Sequence, residues 1–196
     1  NPAVSFGLWT MRRLRSILLP FYWGAQFLGA MLAVIVMNVI TNNALKLDFG
    51  HSWFNSFSWP IFGVELVGAA VFMFGLAAVL TRTSLSEGSN MLGRGLALVV
   101  GLVVASSLLG AVQGAVDTTA ITAVEKVPHE LRVKSATLNP AVALASTEQT
   151  DSSFTGTKGT DEKQFSRLSM EVILATLIGA ALGGNLYLLV AGRRNA

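Results

Sequence analysis

The sequence predicts an all-α membrane protein with an inverted repeat, in which two short helices enter the bilayer from opposite faces. Three observations predict it: four apolar runs of membrane length, a lopsided distribution of arginine about those runs, and an Asn-Pro-Ala tripeptide that occurs twice. Of the 196 residues, 52% are apolar and 13% charged, far from the roughly 25% charge of an average soluble domain. Four long apolar helices in so short a chain leave too little polar surface to cover them in water. The chain has no Cys, which excludes a disulfide scaffold, a thiolate metal site and a cysteine nucleophile.

Residues 1–15 hold the first tripeptide, in 1-NPAVSFG-7, and a connection. Asn suits an N-cap, and Pro suits the first helical position because its missing N–H is one the helix does not use. The run 21–40, FYWGAQFLGAMLAVIVMNVI, starts with interfacial aromatics and spaces Gly29 and Ala33 four apart, where a second helix can approach closely. A polar and aromatic loop follows, with Trp53, Phe54 and Phe57 leading to Trp59; such a cluster fits an interface belt or vestibule wall better than a sugar platform. The runs 59–80 and 91–116 are joined by a short connection that keeps them antiparallel neighbours. Each of the four runs has about the 20 residues needed to cross roughly 30 Å of hydrocarbon.

Residues 117–169 form a long connection with two charged or Ser/Thr/Gly-rich portions around a less polar centre, 136-ATLNPAVALA-145. That centre predicts a second short helix of about ten residues, again opened by Asn-Pro-Ala and too short to span. The last run, 170–192, contains Gly179 and Gly183, and its IGAALG resembles the LGAMLA of the first run. This likeness and the two tripeptides, each continued by Val, point to an internal duplication. Glu65 and Glu171 are the charged residues placed in or at the edges of the spans without a basic partner in their own run.

Alternating the sides places Arg12, Arg13, Arg15, Arg82, Arg94, Arg193 and Arg194 together, with Glu87 as the acid on that side. The opposite side has as many basic residues but more acids, and most of its basic residues sit in one long loop. By the positive-inside rule, the Arg-rich side is cytoplasmic. A nucleic-acid partner is excluded, because the basic residues are divided across a bilayer and the Arg clusters are short. The same parity makes the two tripeptides enter from opposite faces. Two half-helices meeting N-terminus to N-terminus would set two Asn amides and two positive dipole ends at the midplane, lining a cavity where irregular backbone is tolerated.

With NPAVSFG, FYWGAQFLGA with its Gln26 and Gly29, Glu65 in FGVELVGAAVF, and LNPAVALA, the sequence resembles the aquaporin and aquaglyceroporin family, the major intrinsic proteins. The resemblance implies an aquaporin-like helical bundle with two re-entrant half-helices, and a passive channel for water or small neutral solutes such as glycerol. It implies no enzyme activity, no catalytic residue and no cofactor, and a homotetramer in the lipid bilayer of the cell membrane. Asn1 and Asn139 would be the pore asparagines, with Pro2, Ala3, Pro140 and Ala141 fixing the half-helix tips. Glu65 would brace the second re-entrant loop through backbone N–H groups.

Departures from the family pattern are equally specific. The chain opens on the first tripeptide, so two of the family's six spans are absent, and a fragment of a longer channel is expected. Val142 follows the second tripeptide where Arg is usual, and Ala143 stands where glycerol-conducting members often have Asp. Counting along GLVVASSLL places the fifth-span filter position at Leu108. These substitutions predict a filter without its customary cation and five-donor fork. They keep open the alternative of a non-conducting membrane scaffold or inactive channel fragment. His51 and His129 stand in different loops without a third ligand in view, and read as surface histidines rather than a metal site.

Overall fold

The computed structural model describes residues 1–41, 57–82, 84–119, 121, 127–149, 154 and 166–192. His51, Trp53, Phe54, Arg193, Arg194 and most of the polar 146–169 insertion lie outside the described residues. The named helices are α1 (Pro2–Thr10), α2 (Leu19–Thr41), α3 (Trp59–Leu80), α4 (Glu87–Gly114), α5 (His129–Arg132), α6 (Pro140–Ala145) and α7 (Met170–Gly192). A 3-10 turn, Ser16–Leu18, leads into α2. Among the described residues, four helices are long and apolar enough to cross a membrane: α2 with the turn before it, α3, α4 and α7.

Local chemistry sets the helix ends. Ser58 caps α3 by accepting from the Ile61 N–H, with Pro60 in the first turn. Ser86 caps α4 through the Ser89 N–H, so this helix begins at Glu87 rather than at 91 and ends at Gly114 rather than 116. α1 ends in a Schellman arrangement: the Arg13 N–H donates to the Leu8 carbonyl, the Arg12 N–H to the Trp9 carbonyl, and Arg12 takes φ 58°.

The packing centre is α3. It lies against α7 on one side and α4 on the other, and the core cluster joins Ile61, Val64, Phe72, Met73 and Leu76 to Ala105, Leu109 and Ala180. Close approach is carried by glycine. A Cβ at Gly179 or Gly183 would strike the Leu66 or Ala70 carbonyl of α3, and one at Gly101 would meet Phe72 Cβ at 2.6 Å. Gly29 is different. A Cβ there meets nothing within 4 Å, and Ala33 is exposed, so the small-residue face of α2 is unoccupied among the described residues. Leu28, Met31, Leu32, Ile35 and Val36 of α2 are also exposed, an apolar surface suited to hydrocarbon rather than water.

The half-helices are arranged along α7. In α1, Gly7 lies beside Met73 and the Ala180 carbonyl, while Met11 lies beside Gly184 and Thr10 accepts from Asn185 Nδ2 at 2.9 Å. In α6, Ala143 and Leu144 cluster with Leu168 and Val172, at the other end of α7. The two short helices therefore run from a common point in opposite directions.

Candidate pore site

Asn1 and Asn139 sit at that common point, each half-buried at the start of its helix. Asn1 Oδ1 accepts from the Ala3 and Val4 N–H groups at 2.9 and 3.4 Å, and its Nδ2 donates to the Leu138 carbonyl at 3.1 Å. Asn139 Oδ1 accepts from the Ala141 N–H at 3.0 Å. Capping thus uses both carboxamide oxygens and turns both amide NH2 groups away from their own helices. Pro2 and Pro140 are fully buried, and Ala3 and Ala141 pack close to them.

Each half-helix has its own brace. For the first, Trp23 Nε1 of α2 donates to the Pro2 carbonyl at 3.1 Å and Gln26 Nε2 donates to Ser5 Oγ at 2.9 Å. For the second, fully buried Glu65 of α3 accepts from the Thr137 N–H at 2.9 Å and the Leu138 N–H at 2.8 Å, one on each carboxylate oxygen. The Thr137 hydroxyl adds a third bond at 3.1 Å, and Arg167 Nη2 lies 3.4 Å away. Leu138 has φ 50°, a conformation costing an L-residue roughly 1–2 kcal/mol. It is held from both sides, by Glu65 on its N–H and Asn1 on its carbonyl.

This bracing corrects the expected length of the second short helix. Residues 136–139 do not join it, because the Thr137 and Leu138 N–H groups go to Glu65 and Asn139 is extended at φ −158°. The helix is Pro140–Ala145, six residues long, and stops at extended Ser146.

Val142 and Leu108 lie on separate elements, α6 and α4, and are 48% and 38% exposed. Neither is packed into the core, and the Val142 carbonyl accepts from Ser146 Oγ at 2.8 Å. Arg167 does not stand in for a cation at 142: it is buried against Glu65 and Glu171.

His129 is not the surface histidine that its loop position predicts. Its side chain is 11% exposed, with Nε2 2.7 Å from Glu171 Oε1 and Nδ1 3.6 Å from Glu148 Oε1. An antiparallel bridge pairs Thr147 with Ser166, the residues next to Glu148 and Arg167, and Arg167 acts on Glu148 through its charge. The partners of Glu65 and Glu171 thus come from outside the spans. The readable trace was the placement of Arg167 four residues before Glu171, the spacing of a helical ion pair.

Two asparagine-capped half-helices that diverge from one braced point, amid helices of membrane length, define a re-entrant-helix membrane protein. The Major intrinsic protein family model matches residues 1–187, and the chain belongs to that family. It is 32% identical over 111 residues to the "Probable aquaporin TIP-type alpha" of Phaseolus vulgaris, covering 56% of this chain and 41% of that protein. It is likewise 32% identical over 124 residues to "Aquaporin TIP1-1" of Arabidopsis thaliana, covering 59% and 45%. A match to "Aquaporin NIP2-3" of Zea mays is 33% identical over 81 residues, 41% of this chain and 26% of that one. These matches span less than half the length of each relative.

Proposed function

We propose that the chain forms part of a passive membrane channel for water and small neutral solutes such as glycerol, not an enzyme. The observation that carries this reading is the meeting of two capped helix N-termini, with Asn1 Nδ2 on the Leu138 carbonyl beside Asn139. With both carboxamide oxygens held by backbone N–H groups, the amide N–H donors have fixed directions and can present themselves to the oxygen of a passing molecule. The positive ends of two helices at the same point disfavour cations there. The complete protein would be a homotetramer in the cell membrane, with the Arg-rich short segments cytoplasmic.

Val142 and Leu108 are assigned to the narrow filter. A branched apolar side chain at 142 offers no donor and no charge, so a wider and less polar constriction follows, one that strips less selectively for water. The test is osmotic shrinkage of liposomes followed by light scattering, against empty vesicles. Permeability above the control supports the channel; its absence, in this chain and in a gene-length form, favours a scaffold. Val142→Arg is expected to lower glycerol permeability several-fold while sparing water. Unchanged permeabilities and an unchanged ratio would remove 142 from the filter.

A further inference from the structure

His129 has a carboxylate facing each of its ring nitrogens, Glu171 at 2.7 Å and Glu148 at 3.6 Å. A neutral imidazole has one N–H and one lone pair, so with both carboxylates ionised one nitrogen would point its lone pair at a negative oxygen. The arrangement is satisfied by one additional proton, either on the ring or on one of the carboxyl groups. Charge gives the same answer. Among the described residues the buried charged groups are Glu65, Glu148, Glu171 and Arg167, with His129 at their edge and Arg132 acting on Glu148 through its charge, and three carboxylates against two guanidinium groups call for one more positive charge. The species that an imidazole between two carboxylates calls for is a proton.

The proton adds a charged fastening to segments that backbone bonds already join, the Gln149 N–H donating to the Arg132 carbonyl at 2.8 Å and the Arg167 N–H to the Ser146 carbonyl at 2.9 Å. His129 opens α5, on the approach to Asn139; Glu148 follows α6; Glu171 is in the first turn of α7. Other charged groups near the ring, among the described residues, have partners of their own. Glu130 accepts from Ser58 Oγ, the cap of α3, and its backbone carbonyl accepts from Gln113 Nε2 of α4 at 3.0 Å. Arg132 acts on Glu148 through its charge, and Arg167 lies 3.9 Å from Glu171 and 3.4 Å from Glu65. His129 thus lies on the stretch of chain that leads to Thr137, Leu138 and Asn139, with Gln113 Nε2 holding the Val133 carbonyl between them at 2.8 Å.

We propose that His129, Glu148 and Glu171 are positioning residues that share a proton and thereby fasten the second Asn-Pro-Ala loop, loosening it as the pH on that face rises. The consequence for permeability rests on the channel reading above; the consequence for stability does not. Burial pushes the Glu148 carboxyl above the usual carboxylate range, with His129 and Arg167 opposing that effect and Glu171 adding to it. The sign follows from linkage. A folded state that holds a proton more tightly than the unfolded chain is most stable at the acid end of the window, and loses that stability as the proton leaves.

The experiment uses the full chain in phosphatidylcholine nanodiscs and liposomes, from about pH 4, near the ordinary carboxylate range, to about pH 8, because the raised Glu148 carboxyl gives up its proton above that range. Thermal unfolding and osmotic shrinkage are measured for the parent, His129→Gln and Glu148→Gln. The parent should lose about 2–4 °C in Tm across the range, with permeability falling in step. His129→Gln should flatten both profiles. Should that variant fail to fold, Glu148→Gln serves, because it removes a carboxylate that needs the proton and should raise Tm at the alkaline end. A flat parent profile, or variants that keep the full parental slope, overturns the proposal. Conduction above empty vesicles without any pH slope leaves the channel and removes the clasp. A slope in Tm that depends on His129, without conduction at any pH, retains the clasp and removes the channel.

Discussion

Glu65→Gln is expected to dislodge the second half-helix and to abolish permeability, although the change is nearly isosteric. Both carboxylate oxygens of Glu65 accept from backbone N–H groups, those of Thr137 and Leu138. A carboxamide has one acceptor oxygen, so whichever way it turns, its NH2 faces a backbone donor. Arg167 would then keep Glu171 at 3.9 Å as its carboxylate partner among the described residues. Removing one member of a buried charged pair costs about 3–5 kcal/mol, a large part of the roughly 5–15 kcal/mol that holds a domain folded. Leu138 would also lose the contact that holds its left-handed backbone. Thermal unfolding in detergent should show the loss, and osmotic shrinkage should fall to the empty-vesicle rate. Glu65→Asp retains the charge but falls short of at least one N–H, and should be intermediate. Parental stability in the Gln variant would mean that the loop does not depend on this brace.

Gly183→Val should be as damaging for a different reason. A Cβ at 183 would collide with the Ala70 carbonyl oxygen, and would lie 2.7 Å from its carbonyl carbon and 2.9 Å from its Cα. These are backbone atoms of α3, so no rotamer change relieves the clash. α3 and α7 must separate, and the shared core opens around Met73 and Ala180. Overpacking costs about 1–3 kcal/mol where side chains can adjust, and a collision with backbone belongs at or beyond the upper end. Gly110→Ala is the control. Its Cβ meets nothing within 4 Å, so replacing a helical glycine there should stabilise the helix by up to about 1 kcal/mol. A protease-resistance or thermal-melt comparison of the two variants gives opposite signs if helix approach decides; equal effects would place the glycine requirement elsewhere.

The two glycine stripes mark where reading a sequence stops. LGAMLA and IGAALG carry the same local message, that another helix can come close, yet Gly179 and Gly183 have α3 against them while Gly29 has open space among the described residues. A small residue permits approach but does not say what approaches. The capping signals were of another kind. Asn1, Asn139, Ser58 and Ser86 each act within a few residues, so their chemistry is complete in the local sequence.

The amino-acid sequence by itself determined the long apolar helices, the starts of the two half-helices and their opposed directions, because hydropathy, N-capping and chain parity are local or additive. Only the tertiary structure decided where the buried charges go. Glu65 meets Thr137, Leu138 and Arg167, and Glu171 meets His129, across long stretches of chain. An ionised group removed from water takes whichever donors the fold brings within about 3 Å. Burial also turned a loop histidine into the centre of a buried cluster and cut the second half-helix to six residues. The histidine's burial has no local sequence signal, because it depends on a carboxylate supplied by another helix.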